Sequence, residues 1–169
     1  MTAVQAVVDA DEYRELMSGF PTGVAVVTST DANAEPRGAT CSSLCSVTLT
    51  PPTLLVCLTT RSSTLEAIRA RRQFAVNLLR SRARRTAEIF STPVDDRFGM
   101  VQWKRLGPAG LPWLIHDAFA VAECRVAGLS TVGGHTIVLG TVVRIHFSPG
   151  IPLLYGMRQF SQWSPCRSS

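Results

Sequence analysis

Several things are scarce in this chain, and each shortage removes a class of function. No apolar run approaches the roughly 20 residues needed to span a bilayer. The opening stretch MTAVQAVVDADEYREL lacks the basic-then-apolar layout of a secretory signal. The expectation is a soluble, cytoplasmic chain with no membrane association. Lysine is nearly absent, Lys104 being the only one, so the formal net charge of +5 rests on arginine. Aromatic residues make up 7% of the chain and offer few platforms for stacking bases, which argues against a nucleic-acid partner.

The five cysteines, Cys41, Cys45, Cys57, Cys124 and Cys166, are odd in number and lie mostly in apolar or small-residue runs, as reduced thiols filling core space do. No further Cys or His pair stands where it would complete a zinc shell around Cys41 and Cys45, so no metal is expected. Neither the G-x-x-x-x-G-K-[ST] phosphate loop nor the G-x-G-x-x-G dinucleotide fingerprint is present. No serine, cysteine or acid accompanies His135 at a recognised nucleophile spacing, which leaves a hydrolase triad without support.

What is present suffices for one domain across residues 1–169, with a core from about 12 to 162 and short tails, since 46% of the residues are hydrophobic. Asp9 and Glu12 precede Tyr13, Leu16 and Met17 at helical spacing, so a short helix is predicted there, stopped by Gly19 and Pro21. GVAVVTST, TLLVCLTT and FAVNLL read as buried strands rich in β-branched residues. SSTLEAIRARRQ reads as a well-capped helix, and Ala83 to Phe90 as another. Thr92 to Leu114 shows no periodicity and is predicted to be a long ordered excursion. AFAVAECRVAGLS and HTIVLGTVVRIHFS read as two long strands joined near Thr131 to Gly134, with PLLY as a final short strand. Many strands without regular strand-helix alternation predict a mainly β fold, a closed or nearly closed antiparallel barrel with a few helices outside it.

Three places carry candidate chemistry. Gly38 to Ser46 has small and hydroxyl side chains where an ordinary core strand carries larger ones; this suits either a planar ligand lying close to the backbone or a Ser/Thr-rich edge strand. Ser62, Ser63 and Thr64 open a helix, where free amides, the dipole and hydroxyls favour a phosphate; a plain N-cap accounts for one of the three. His135 follows two glycines at a predicted barrel rim. The arginines from Arg69 to Arg85 form either a solvated helix face, a polyanion patch or a means of drawing in phosphate-bearing dinucleotides. Hydride transfer suits such a set, because cofactors carry the hard chemistry while the protein stacks and orients their rings.

Taken in order, FPTGVAVVTS, GATCSSLCSVTLTPP, LLVCL with SST, FAVNLL, FGMVQW, GLPWL with AVAEC, GGHTIVLGTV and PLLYGMRQF resemble the flavin reductase family of the FMN-binding split barrel, from about Phe20 to Phe160. These are the small reductase components of two-component flavin-dependent monooxygenases. The resemblance implies an antiparallel, Greek-key-like split β-barrel and an NAD(P)H:flavin oxidoreductase. Hydride would pass from NADH or NADPH to FAD or FMN, and reduced flavin would diffuse to a partner monooxygenase. It further implies a homodimer with the flavin site near the subunit boundary. By the same likeness Thr40, Cys41, Ser42 and Ser43 border the flavin ring, with backbone contacts near Cys57, Leu58 and Thr59. Ser62, Ser63 and Thr64 hold the flavin phosphate, Asn77, Phe98 and Arg158 lie in blocks that approach the flavin, and His135 places the nicotinamide. Two positions depart from the family pattern: Gly134 stands for the usual Asp, removing a carboxylate beside His135, and Ala83 stands for a glutamine in the helix after FAVN. The alternative reading is a flavin- or haem-binding split barrel acting as carrier or sensor without turnover.

Overall fold

The computed structural model describes residues 7–166. The tails expected outside the core fall partly beyond them. Helix α1 spans Ala10–Ser18, where the Asp9 carboxylate accepts from the amides of Asp11 and Glu12 at 2.8 and 2.9 Å. Strands β1 (Thr22–Gly23), β2 (Ala25–Thr30), β3 (Pro36–Cys41), β4 (Cys45–Leu49) and β5 (Pro52–Thr59) follow. Helix α2 (Ser63–Arg71) leads to β6 (Gln73–Leu79), then helix α3 (Arg84–Ser91) and a 3-10 turn over Arg97–Met100. Strands β7 (Lys104–Leu106), β8 (Leu111–Trp113), β9 (Ala118–Val132), β10 (His135–Phe147), β11 (Leu153–Gly156) and β12 (Gln159–Gln162) complete the chain.

Seven strands form one antiparallel sheet in the order β3-β2-β6-β9-β10-β5-β4. It rolls around a core of Val27, Val56, Leu58, Phe74, Val76 and Val138, and α2 plugs that core with Leu65 and Ile68. Each of these large side chains contributes about 1.5–3 kcal/mol by leaving water. A second core, with Val26, Phe90, Phe98 and Leu114, lies under α3 on the other face of β2. Strand β2 therefore has both faces covered, and all six of its residues are buried. This is the antiparallel split barrel that the resemblance implies.

The local differences have identifiable causes. The predicted GVAVVTST strand is broken at Val24: β1 pairs with β11, while β2 pairs with β3 and β6. The small-residue segment from Gly38 to Leu49 is two strands, β3 and β4, which leave Ser42 to Leu44 as a corner and run to opposite edges of the sheet. The excursion from Thr92 to Leu114 contains the short β7–β8 hairpin. PLLY extends into β11 and turns back as β12 through Met157 and Arg158, both at positive φ (49° and 59°). Neither of these two central positions is a glycine or asparagine.

Candidate active site

Where the edge strand β3 ends, the chain folds back against β5, and side chains rather than a ladder close the seam. The Ser43 hydroxyl lies 3.2 Å from the carbonyl oxygen of Cys57, to which it donates, and 3.2 Å from the Cys57 amide, from which it accepts. The Cys41 thiol sits 3.3 Å from the same hydroxyl. Burial pushes that thiol's pKa up while the Ser43 contact pulls it back, so Cys41 stays a protonated, inert wall. Leu58 turns into the barrel core, Cys57 is half-buried on the outer face, and Ser42 and Thr59 are exposed. The Thr40 hydroxyl donates to the carbonyl of Ala87 in α3 at 2.6 Å, which fixes the strand carrying this corner against that helix.

Strand β5 leads directly to α2. Ser62 caps the helix, its hydroxyl accepting from the Leu65 amide at 3.4 Å. The first amides of a helix have no intrahelical partner; with Leu65 taken by the cap, those of Ser63 and Thr64 remain to face an anion. Ser63 is exposed, whereas the Thr64 side chain is buried and its hydroxyl oxygen has no partner among the described residues. The Thr64 hydroxyl, expected among the phosphate donors, packs inward, and Ser63 is the exposed side chain at the helix start.

His135 opens β10 directly opposite Thr59 and is exposed, as its place after two glycines predicts. The preceding carbonyl, of Gly134, accepts from both the amide and the hydroxyl of Thr60, at 2.9 and 3.3 Å. The hairpin carrying the histidine is in this way fastened to the β5–α2 connection.

Beyond Ser63 a cleft of about 430 Å³ runs along the start of β3, walled on its far side by residues 93–98. Phe98 closes its base and packs edge-on against Phe90 and Trp103 at 5.0 and 5.3 Å. Gly38 allows this approach: a Cβ there would stand 2.7 Å from the Phe90 ring. The Arg97 guanidinium donates to the Gly38 carbonyl at 2.8 Å. Sequence reasoning missed Arg37 and Arg97; the one signal available was a cation immediately before the small-residue block, in PRGAT.

Two residues expected near the flavin sit apart from this corner. Asn77 is fully buried, its amide donating to the Val26 and Pro112 carbonyls and the Thr28 hydroxyl, its oxygen accepting from the Leu114 amide. It is a clamp inside the fold and presents nothing to the corner. Arg158 is exposed in the β11–β12 turn, paired with Glu15 of α1 at 2.9 Å. Among the described residues, no three His, Cys, Asp or Glu side chains gather into a metal-binding cluster, and no helix is long and apolar enough to cross a membrane.

The corner fits a flavin on its own chemistry: hydroxyl and small side chains for a ring, unspent helix amides for its phosphate, and an open rim bearing an imidazole. Comparison with known proteins agrees. A family model, the flavin reductase like domain, matches residues 17–164. The chain is 55% identical over 158 residues to the flavin reductase (NADPH) of Lentzea aerocolonigenes, which spans 94% of this chain and 92% of that relative. The NADH:FAD oxidoreductase of Streptomyces globisporus, solved with NAD and FAD fragments, superposes with a TM-score of 0.86 at 32% identity, over 95% of this chain and 98% of that one. Nitrilotriacetate monooxygenase component B from Mycobacterium thermoresistibile superposes with a TM-score of 0.84 at 26% identity, over 94% and 92%. By sequence blocks, fold and family match together, this chain belongs to the flavin reductase like family.

Proposed function

We propose that this protein is an NAD(P)H-dependent flavin reductase whose reduced flavin serves a separate monooxygenase. The observation that carries the reading is the pairing of His135 with Thr59, which sets an exposed imidazole beside the corner that ends in Ser62 and the free helix amides. Bound FAD or FMN supplies the two-electron acceptor, and NADH or NADPH supplies the hydride.

The chain's own residues do the placing. The Ser43 clip holds the β3–β4 corner against Cys57, so the ring wall is set before any ligand arrives. The amides of Ser63 and Thr64 take the phosphate, helped by the dipole of α2. His135 orients the nicotinamide and need not exchange a proton for hydride to move. Relatives named for NADPH and for NADH both resemble this chain, and the monooxygenase component among its structural neighbours supports a diffusing-flavin partnership. The decisive assay follows NAD(P)H oxidation with and without added FAD or FMN. Flavin-dependent oxidation is expected; its absence with either nucleotide ends the reading.

We further infer a cytoplasmic homodimer. All five cysteines are free thiols, as a reducing compartment requires. Residues 142–147 of β10 pair only with β9, and Ile145 and Phe147 there are 63% and 72% exposed, as is most of Leu49 on edge strand β4. A sheet face of this kind marks an interface. Sedimentation should show a dimer that Ile145→Asp dissociates, and a monomeric wild type would overturn the inference.

A further inference from the structure

We propose that Arg69 and Thr136 are positioning residues for hydride transfer: the bond between them locks the strand start that carries His135 to helix α2. The proposal rests on the flavin-reductase reading above and deepens it. The end of the β9–β10 hairpin has little packing of its own. His135 and Val132, which pair across it, are exposed, and a Cβ added at Gly133 or Gly134 would meet nothing within 4 Å. A strand end packed so poorly opens readily unless polar contacts hold it. Such contacts stand on both sides of the histidine. Before it, the amide and hydroxyl of Thr60 donate to the Gly134 carbonyl. After it, the Arg69 guanidinium donates to the Thr136 hydroxyl at 3.2 Å, and that hydroxyl shares a further hydrogen bond with Thr131 across the hairpin at 3.1 Å.

Successive side chains of a strand point to opposite faces, so Thr136 turns into the fold, where it is fully buried, while His135 turns out. The inner side of the strand start is held, and the outer side is left to orient a ligand. Arg69 lies in the last turn of α2, a helix itself fixed by Leu65 and Ile68 in the barrel core, and Thr60 stands just before the Ser62 cap of the same helix. Both ties therefore end on one rigid body. Its first turn is where the reading above seats the flavin phosphate, so the imidazole is set at a fixed reach from that anchor before a nicotinamide arrives. Arg69 forms no ion pair among the described residues. Its one side-chain hydrogen bond is the contact with the buried Thr136 hydroxyl, and this holds it at the hairpin.

Steady-state kinetics and flavin titration of the full chain test the proposal on Thr136→Val and Arg69→Met. Valine keeps the branched shape, and the groups it leaves behind, on Arg69 and Thr131, belong to exposed residues and turn to water, so no buried donor is stranded. Each variant should lower kcat/KM for NAD(P)H about fivefold to tenfold, because the reacting ring is less well placed, and leave the flavin Kd within about twofold. Thr136→Ser keeps the hydroxyl and should restore kcat/KM to within about twofold of wild type. The effects should not add: in a His135→Ala background, Thr136→Val should change kcat/KM by less than about twofold. Wild-type kcat/KM in both single variants overturns the proposal, as does a Thr136→Ser chain as slow as Thr136→Val. So does a full loss in the His135→Ala background, or a flavin Kd that rises in step with the loss of turnover, since either marks a structural role independent of the histidine. Arg69→Met, at an exposed position, carries the test by itself if Thr136→Val does not fold. A wild-type chain that oxidises no NAD(P)H with added FAD or FMN removes the flavin-reductase reading itself, an outcome distinct from these.

Discussion

Ser43 and Cys57 are tied twice, the hydroxyl in the corner after β3 meeting both the amide and the carbonyl of one residue on β5, a strand with which β3 shares no ladder. Ser43→Ala leaves both backbone groups to water, since the contact is exposed. It should cost about 0.5–1.5 kcal/mol and weaken flavin binding by letting the corner drift. A thermal melt and a flavin titration on the same sample measure both; unchanged flavin affinity would mean the clip serves stability alone.

The His135 side chain has no hydrogen-bond partner among the described residues and lies outside the hydrophobic cores. His135→Ala should therefore spare the fold while lowering NAD(P)H-dependent turnover by about tenfold to a hundredfold, the loss expected when a reacting ring is poorly oriented. Flavin Kd should stay within about twofold. Steady-state kinetics beside flavin titration separate the two. A variant that loses flavin affinity and turnover together would move His135 from the nicotinamide side to the flavin side.

The two glycines before that histidine differ in what they tolerate. Gly133 has φ +54°, whereas Gly134 has ordinary backbone, and a Cβ added there would meet nothing within 4 Å. Gly134→Asp, the residue common in the family, should change stability by less than about 0.5 kcal/mol. Gly133→Asp should cost about 1 kcal/mol through its left-handed backbone. Chemical denaturation of the pair checks the order, and equal costs would refute it.

Burial, with a smaller push from the neighbouring Glu123 carboxylate, raises the Cys124 thiol pKa from 9.0 to about 12. Below pH 9 the thiol is protonated whether the chain is folded or not, and its contribution to stability is complete. As pH rises from 9 towards 12 only the unfolded chain ionises, so stability falls, by at most about 1.4 kcal/mol per pH unit from this group. Urea melts between pH 8 and 11 should show the decline, and Cys124→Ala should flatten it. An identical slope in the variant would place the alkaline loss elsewhere.

The parts of the fold that depend on local pattern were legible in the sequence. Leu65 and Ile68, three apart after Ser62, announced α2 and its buried face, and the Gly-Gly before His135 announced an exposed strand start. Strand β12 was not legible, because Met157 and Arg158 adopt positive φ without the residue types that normally signal it. The same limit applies to the site. Ser43 and Cys57 sit in segments whose composition hinted at a hole, but Asn77 meets partners at residues 26, 28, 112 and 114, and only the folded chain brings those together. Arg37 and Arg97 likewise line one cleft from sixty positions apart in sequence, with no periodicity to join them.

Because one carboxamide joins β2, β6 and the end of β8, those three segments cannot diversify independently: a change that lengthens any of its bonds strands a buried donor or acceptor. Residues 93–95, on the outer lip of the cleft, lie outside that constraint. Descendants of this chain are free to rewrite that lip while inheriting the clamp unaltered.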